Sequence, residues 1–141
     1  HGHQAGDAVL RAIGQCVPAV VSDHGFVARY GGEEFAVIVP GHGIDTAGQL
    51  AESIRQAVAA TRVRHGAIEL AVTASFGVAP FDGQTDATAS TQIIESADRQ
   101  LYEAKRLGRN RVVAGCDSKA GRTVSAGLPA PRACIAPRAQ A

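Results

Sequence analysis

The apolar positions change period along the chain. Val9, Ala12, Ile13, Cys16 and Val17 recur at helical spacing. That pattern predicts an amphipathic helix opening at Asp7, after a loop over residues 1–5, and closing near Pro18. Asp7 then reads as a first-turn acid favoured by the helix dipole. Between Phe26 and Pro40 the period shortens. Two β-rich runs, with Val27 and Ala28 in the first and Ala36 to Val39 in the second, flank Gly31-Gly32-Glu33-Glu34, the pattern of a β-hairpin. The second run is nearly all apolar, which predicts a central strand covered on both faces.

Helical spacing returns with Ala47, Leu50, Ala51, Ile54 and Val58, capped by Asp45-Thr46. Glu52 and Arg55 fall on the outer face of this helix and read as solvated charges. Thr61 to Gly66 reads as a basic connection, and Leu70 to Ala79 as a strand stopped by Pro80. Gly77 inside that strand implies a close backbone neighbour or a bulge. After a polar loop over Asp82 to Ser90, a third helix over Thr91 to Leu107 carries Ile94, Ala97, Leu101 and Ala104 on one stripe. Gly108 is placed as its left-handed stop, and Arg111 to Val113 as a short closing strand. The order helix, hairpin, helix, strand, helix, strand predicts an α+β fold, an α/β sandwich whose central sheet contains antiparallel pairs and carries flanking helices.

Periodicity ends after Gly115. The following residues are rich in Ala, Pro, Gly, Ser and Arg and hold three of the six prolines. The expected organisation is a domain over residues 1–114 and a disordered tail over residues 115–141.

Composition narrows the function classes. The chain has 141 residues, 45% of them apolar, with a net charge of +1, as for one soluble globular domain. Aromatics are 4% and Trp is absent, so a stacking platform for nucleic acid is not expected. No apolar run approaches the ~20 residues of a membrane span, and the polar start His1-Gly2-His3-Gln4 does not read as a signal peptide. Three widely spaced cysteines fit a reducing cytoplasm better than a disulfide framework or a zinc site.

The candidate chemistry lies at two places. Gly31 and Gly32 offer φ > 0 cheaply and leave the backbone bare to a ligand. Glu33 and Glu34 follow as paired carboxylates, which suit Mg²⁺ shared with phosphate oxygens, although a solvated turn has the same residues. Lys105 and Arg109, four apart at the end of the third helix, make a workable grip for phosphate, or simply two cations at a helix C-terminus.

Four segments together resemble the GGDEF domain family, the diguanylate cyclases. Gly2-His3-Gln4-Ala5-Gly6-Asp7-Ala8-Val9-Leu10 is similar to its G-H-x-x-G-D-x-V-L segment. Arg29 to Phe35 resembles its signature in the GGEEF form. Val72 to Ala79 resembles its V-T-x-S-x-G-V-A strand, and Ala97 to Val112 its A-D-x-x-L-Y-x-A-K-x-x-G-R-N-R-V ending. The resemblance implies a nucleotide-cyclase-like, ferredoxin-like fold and a bacterial signalling enzyme that condenses two GTP into cyclic di-GMP across a homodimer. It implies that Glu33 holds Mg²⁺ (or Mn²⁺) and assists the attacking hydroxyl, with Glu34 supporting it. Gly31 and Gly32 would admit the nucleotide, Asp7 would accept from the guanine edge, and Lys105 and Arg109 would grip the phosphates. A cytoplasmic location and an upstream sensor domain in the parent protein are also implied.

Two departures qualify this. The family's first strand, with a metal-binding aspartate, and its following segment, with a guanine-binding asparagine, are not matched in this chain. The expectation is therefore a fragment with an exposed sheet edge, inactive alone, or a GTP-binding or structural module without turnover. The R-x-x-D that binds inhibitory product in many members reads Ser22-Asp23-His24-Gly25 here, so product inhibition through that turn is not expected.

Overall fold

The computed structural model describes residues 2–81, 87–115 and 132–140. The expected loop over Asp82 to Ser90 lies outside them up to residue 86. So does residues 116–131 of the expected tail.

Helix α1 spans Gly2–Val21. It starts earlier than the periodicity predicts, so Asp7 lies beyond its first turn, and the dipole role expected for it does not apply. Nor does Pro18 end it. Pro18 deprives the Gly14 carbonyl of its helical partner, but both residues are exposed, where water can replace the lost bond. Ala5, Val9, Ile13, Val17 and Val21 repeat every four residues and are all buried. The adjacent stripe of Asp7, Leu10, Arg11, Gly14 and Pro18 lines a cleft instead.

The hairpin forms as expected, from β1 (Phe26–Gly31) and β2 (Glu34–Val39). Its register is Phe26↔Ile38 through Arg29↔Phe35, then Gly31↔Glu34, with a bulge between Arg29 and Gly31. Strand β2 is covered on one face only. Phe35, Val37 and Val39 are buried, whereas Ile38 on the other face is 49% exposed.

Helix α2 spans Ile44–Ala60 and buries Ala47, Ala51, Ile54 and Val58. Gly43 occupies its cap position, so Asp45 acts from the first turn rather than as the cap. The expected basic connection is half of a small hairpin, β3 (Arg62–His65) with β4 (Ile68–Ala71), turned at Gly66 with φ +62°. Strand β5 (Thr73–Phe81) therefore starts later than Leu70 and runs through Pro80. Helix α3 spans Ala87–Arg106 and buries Ala97, Leu101 and Ala104, with Ile94 partly exposed rather than on the buried stripe. Strand β6 is Val112–Ala114.

The largest difference lies in the tail. Residues Arg132–Gln140 form β7, and the main sheet has the order β1-β2-β7-β5-β6. Strand β7 runs antiparallel to both neighbours, from Val39↔Ala133 to Glu34↔Arg138 on one side and from Phe81↔Arg132 to Thr73↔Gln140 on the other. The expected disorder therefore does not hold for residues 132–140. Where an open sheet edge was expected, β7 pairs with both β2 and β5, and their amide ladders are satisfied on that side.

The pleat of β5 sorts the layers. Ala74, Phe76 and Val78 join α1 and α2 in the main core. Gly77 and Ala79 face α3 on the other side. A methyl on Gly77 would land on the Ala97 carbonyl and the Leu101 amide. The close neighbour expected for Gly77 is thus the backbone of α3.

Candidate functional site

The hairpin tip is held by its own chain. Gly32 and Glu33 form the turn between β1 and β2. Arg29 reaches forward three residues, donating from Nε to the Gly32 carbonyl at 3.1 Å and from Nη2 to the same oxygen. This fixes one face of the tip. Neither tip glycine has positive φ, so the expected left-handed conformation is not what they supply. They supply access: a Cβ on Gly32 would meet nothing within 4 Å. At Gly31 a Cβ would lie 3.4 Å from Glu34 Oε2, an ordinary contact at the near limit. By strand alternation Glu34 lies on the α3 side of β2, opposite buried Phe35.

Under the other face lies a cleft of about 480 Å³ between α1 and the hairpin, lined by Asp7, Leu10, Arg11, Gly14, Pro18, Val27, Arg29 and Phe35. Asp7 gives this cleft an acid, and Arg11 and Arg29 give it two cations, beside apolar Leu10, Pro18, Val27 and Phe35. A planar base with N–H donors on one edge suits such a lining.

The cationic end of α3 closes with a Schellman motif. The Arg109 amide donates to the Ala104 carbonyl at 3.0 Å, and the Gly108 amide to the Lys105 carbonyl at 3.3 Å. Gly108 has φ +111°, which agrees with its expected role as the stop. Arg109 and Asn110 then continue at φ +62° and +44°, a region that side chains enter at a cost of about 1–2 kcal/mol each. Two distant groups hold them there. Buried Ser75 accepts from the Asn110 amide at 3.1 Å, and Arg55 Nη1 donates to Asn110 Oδ1 at 2.7 Å. Arg55 is itself fixed by Glu52, through Nε to Oε2 at 2.8 Å and Nη2 to Oε1 at 2.7 Å. Gln56 also donates to Glu52, at 3.0 Å. The hydrogen bonds from Arg55 hold the Glu52 carboxyl below its usual value, with Gln56 adding to the effect against partial burial. The same bonds raise the Arg55 guanidinium.

These places share one end of the sheet. Glu34 pairs with Arg138, Arg138 with Ser75, and Ser75 with the Asn110 amide. The backbones of Glu34 and Ser75 are thus two strand spacings apart, about 10 Å. Asp7 lies with α1 on one side of this end, and Lys105 and Arg109 lie with α3 on the other. Glu33 and Glu34 present hard carboxylate oxygens beside open backbone, a donor set that suits a divalent ion shared with phosphates. Among the described residues no group of three His, Cys, Asp or Glu side chains converges.

Four contributors were not legible as such in the sequence. Ser75 was visible only as a position of the V-T-x-S-x-G-V-A segment, without its bond to Asn110, and Glu52 and Arg55 read as solvated charges. Only the Glu-x-x-Arg spacing on α2 hinted at a pair. The fourth, Arg29, was visible only as part of a motif, without its bond to the tip. Gly25 stands where the family's inhibitory site carries its acid, and a side chain there would run into the Ile38 carbonyl.

Residues 1–111 match the family model described as diguanylate cyclase, GGDEF domain. Diguanylate cyclase DgcP of Pseudomonas aeruginosa is 39% identical over 111 residues, which are 79% of this chain and 16% of that protein. Diguanylate cyclase VdcA of Vibrio cholerae is 40% identical over 116 residues, 80% of this chain and 33% of that protein. The chain thus spans a third or less of these curated relatives. Among solved structures, diguanylate cyclase SiaD of Pseudomonas aeruginosa, in complex with its activator SiaC, superposes with a TM-score of 0.74 at 36% identity, covering 81% of this chain and 43% of that one. The active GGEEF domain of a diguanylate cyclase from Vibrio cholerae gives 0.70 at 36% identity, covering 83% and 72%. Among the described residues no helix is long and apolar enough to cross a membrane.

Proposed function

The chain belongs to the GGDEF family of diguanylate cyclase domains, and from that premise we propose that it grips GTP for the condensation of two GTP into cyclic di-GMP. In that reaction each ribose 3′-oxygen forms a bond to the α-phosphorus of the other GTP. The bond from that phosphorus to the bridging oxygen breaks, pyrophosphate leaves, and the hydroxyl proton passes to a base. Two copies of the domain face each other, each holding one nucleotide. Such chemistry depends mainly on positioning and on offsetting phosphate charge.

Each residue has a part in this reading. The Asp7 carboxylate accepts from the guanine N–H edge in the cleft beside α1. Gly31 and Gly32 let the hairpin backbone approach the nucleotide. Lys105 and Arg109 meet the phosphates from the α3 side. Glu33 and Glu34 would hold Mg²⁺ or Mn²⁺, which would offset phosphate charge, and Glu33 is the base that this reading assigns to the hydroxyl proton. The observation that carries the reading is the row Glu34–Arg138–Ser75–Asn110, which puts the acidic tip and the cationic turn at one end of the sheet.

A second reading, a GTP-binding or signalling module without turnover, is favoured for this chain alone by one observation. The strand beside the hairpin, β7, has the sequence Arg-Ala-Cys-Ile-Ala-Pro-Arg-Ala-Gln and offers no carboxylate. The second metal acid that the family resemblance calls for is not supplied from that strand. The purified 141-residue chain, given Mg²⁺–GTP, is expected to bind nucleotide and form little cyclic di-GMP. Robust turnover would reject the non-turnover reading, and a chain that bound no GTP would reject both. Added cyclic di-GMP should not weaken GTP binding through the Ser22–Gly25 turn.

A further inference from the structure

We infer that Glu52 and Arg55 on α2 are positioning residues for Arg109: they clamp the left-handed turn that presents this cation to the nucleotide phosphates. The inference rests on the nucleotide reading above.

The turn needs a clamp. Arg109 has no glycine's freedom, yet it sits at φ +62° next to Asn110 at φ +44°. Two successive residues of this kind persist only where surroundings over-determine them. The Schellman bonds fix the turn's start, at Gly108 and Arg109. Its far side is fixed by two bonds from other elements. Ser75 holds the Asn110 backbone, and Arg55 holds the Asn110 side chain at 2.7 Å from 55 residues away.

Arg55 is suited to the task by its planar fork. One guanidinium edge binds Glu52 through Nε and Nη2 while the third nitrogen, Nη1, donates to Asn110 Oδ1. Glu52 therefore orients Arg55, and Arg55 orients the turn. The Arg55 side chain is 19% exposed and held by Glu52, so an anchored guanidinium, rather than a freely moving one, meets the exposed Asn110 side chain. Lysine has a single nitrogen and cannot make the two-nitrogen contact to Glu52 while a third nitrogen meets Asn110. A bare solvated pair on α2 would need no third partner, and Asn110 would have no reason to meet it.

The test uses the full 141-residue chain, Mg²⁺–GTP titration, and backbone amide exchange in the nucleotide-free protein. Arg55→Lys is expected to speed exchange at the Asn110 amide and to weaken GTP binding by about threefold to tenfold. Glu52→Gln is expected to do the same to a smaller extent, which guards against a folding defect peculiar to one variant. In an Arg109→Ala background, Arg55→Lys should have no further effect on GTP affinity, because its target is gone. A purely structural role would weaken binding equally in both backgrounds, and that result overturns the inference. Unchanged Asn110 exchange in both α2 variants, with GTP still bound by the parent chain, also overturns it while leaving the nucleotide reading in place. No GTP binding by the unsubstituted chain removes the nucleotide reading and the inference with it, even if exchange shows that the clamp exists.

Discussion

Strand β2 has two neighbours that reach it in opposite ways. On one side is β1, joined to it through Gly32 and Glu33 and pinned by Arg29, so the whole contact lies within 14 residues from Phe26 to Val39. On the other side is β7, which comes from residues 132–140 and lies between β2 and β5. Both neighbours are antiparallel and both satisfy the same ladder. The first is encoded by turn residues and alternation in one stretch. The second needs a slot already made by β2 and β5, and nothing in its own sequence specifies that slot. A short-range pair can form before the rest of the sheet, whereas a central strand from the end of the chain must close a long loop first.

The comparison is broken most severely by removing β7. A chain ending at Gly115 would leave β2 and β5 with facing unpaired edges in the middle of the sheet. A domain of this size has only about 5–15 kcal/mol of net stability, so losing its central strand should abolish cooperative melting. Thermal unfolding followed by circular dichroism checks this, and a melt as sharp as that of the full chain would show that β7 is dispensable. The register can be checked separately. Ile38 and Cys134 are partners across the β2–β7 pair, and partnered Cα atoms in such a pair lie about 4.5–5.5 Å apart, within disulfide range. Ile38→Cys should therefore crosslink to Cys134 on oxidation, and Val39→Cys should do so less readily.

The next largest effect is expected at β5, which supports β7 from its other side. Gly77→Ala would push a methyl into the backbone of α3 at Ala97 and Leu101. Backbone cannot swing aside as a side-chain tip can, so the helix must shift, at a cost of more than about 3 kcal/mol. The fall in the unfolding midpoint measures it. The hairpin tip carries no such demand, and Gly32→Ala should change stability little.

How much of this was legible follows the same division. The hairpin, the apolar stripes of α1 and α2 and the stop at Gly108 could be read because each depends on residues a few positions apart. The start of α1 could not, because His3, Gln4 and Gly6 are polar or small and only Ala5 among them is buried. Pro18 looked like an end, but exposed Gly14 and solvent let the helix pass it. The segment Arg132–Gln140 has Pro137 and no alternation, so its sequence argued for disorder until its partners were known. At the candidate site, Glu33, Glu34, Lys105 and Arg109 were found by residue type and motif. Ser75, Glu52 and Arg55 were missed because their significance lies in Asn110, which is 35 and 55 residues from Ser75 and Arg55.

A smaller effect is expected at the tip. Arg29 is exposed, and its bonds to the Gly32 carbonyl compete with water. Arg29→Met should cost about 0.5–1.5 kcal/mol at most, the net worth of an ordinary hydrogen bond. Its effect on GTP affinity should be larger than its effect on stability, because the same guanidinium lines the cleft with Asp7. Equal, negligible effects on both would make the Arg29 contact incidental to the local hairpin.

The smallest expected effect probes the long-range side through pH. Glu52 is held below its ordinary value chiefly by the hydrogen bonds from Arg55. A carboxyl depressed in the folded state adds stability that is present above the unfolded value and is lost as pH falls through the folded one. The window therefore lies below the ordinary glutamate range, not near neutrality. The Glu52 side chain is 42% exposed, so solvent screening keeps the stability term small. The local readout is sharper. As the carboxylate takes up a proton, Arg55 loses its anchor, and exchange at the Asn110 amide should rise above its intrinsic pH dependence. Glu52→Gln should flatten that extra rise, since the residue at 52 then has nothing to titrate. If the rise survives in Glu52→Gln, another group controls the turn, and the contact from α2 is no more than a neighbour of the hairpin's self-contained design.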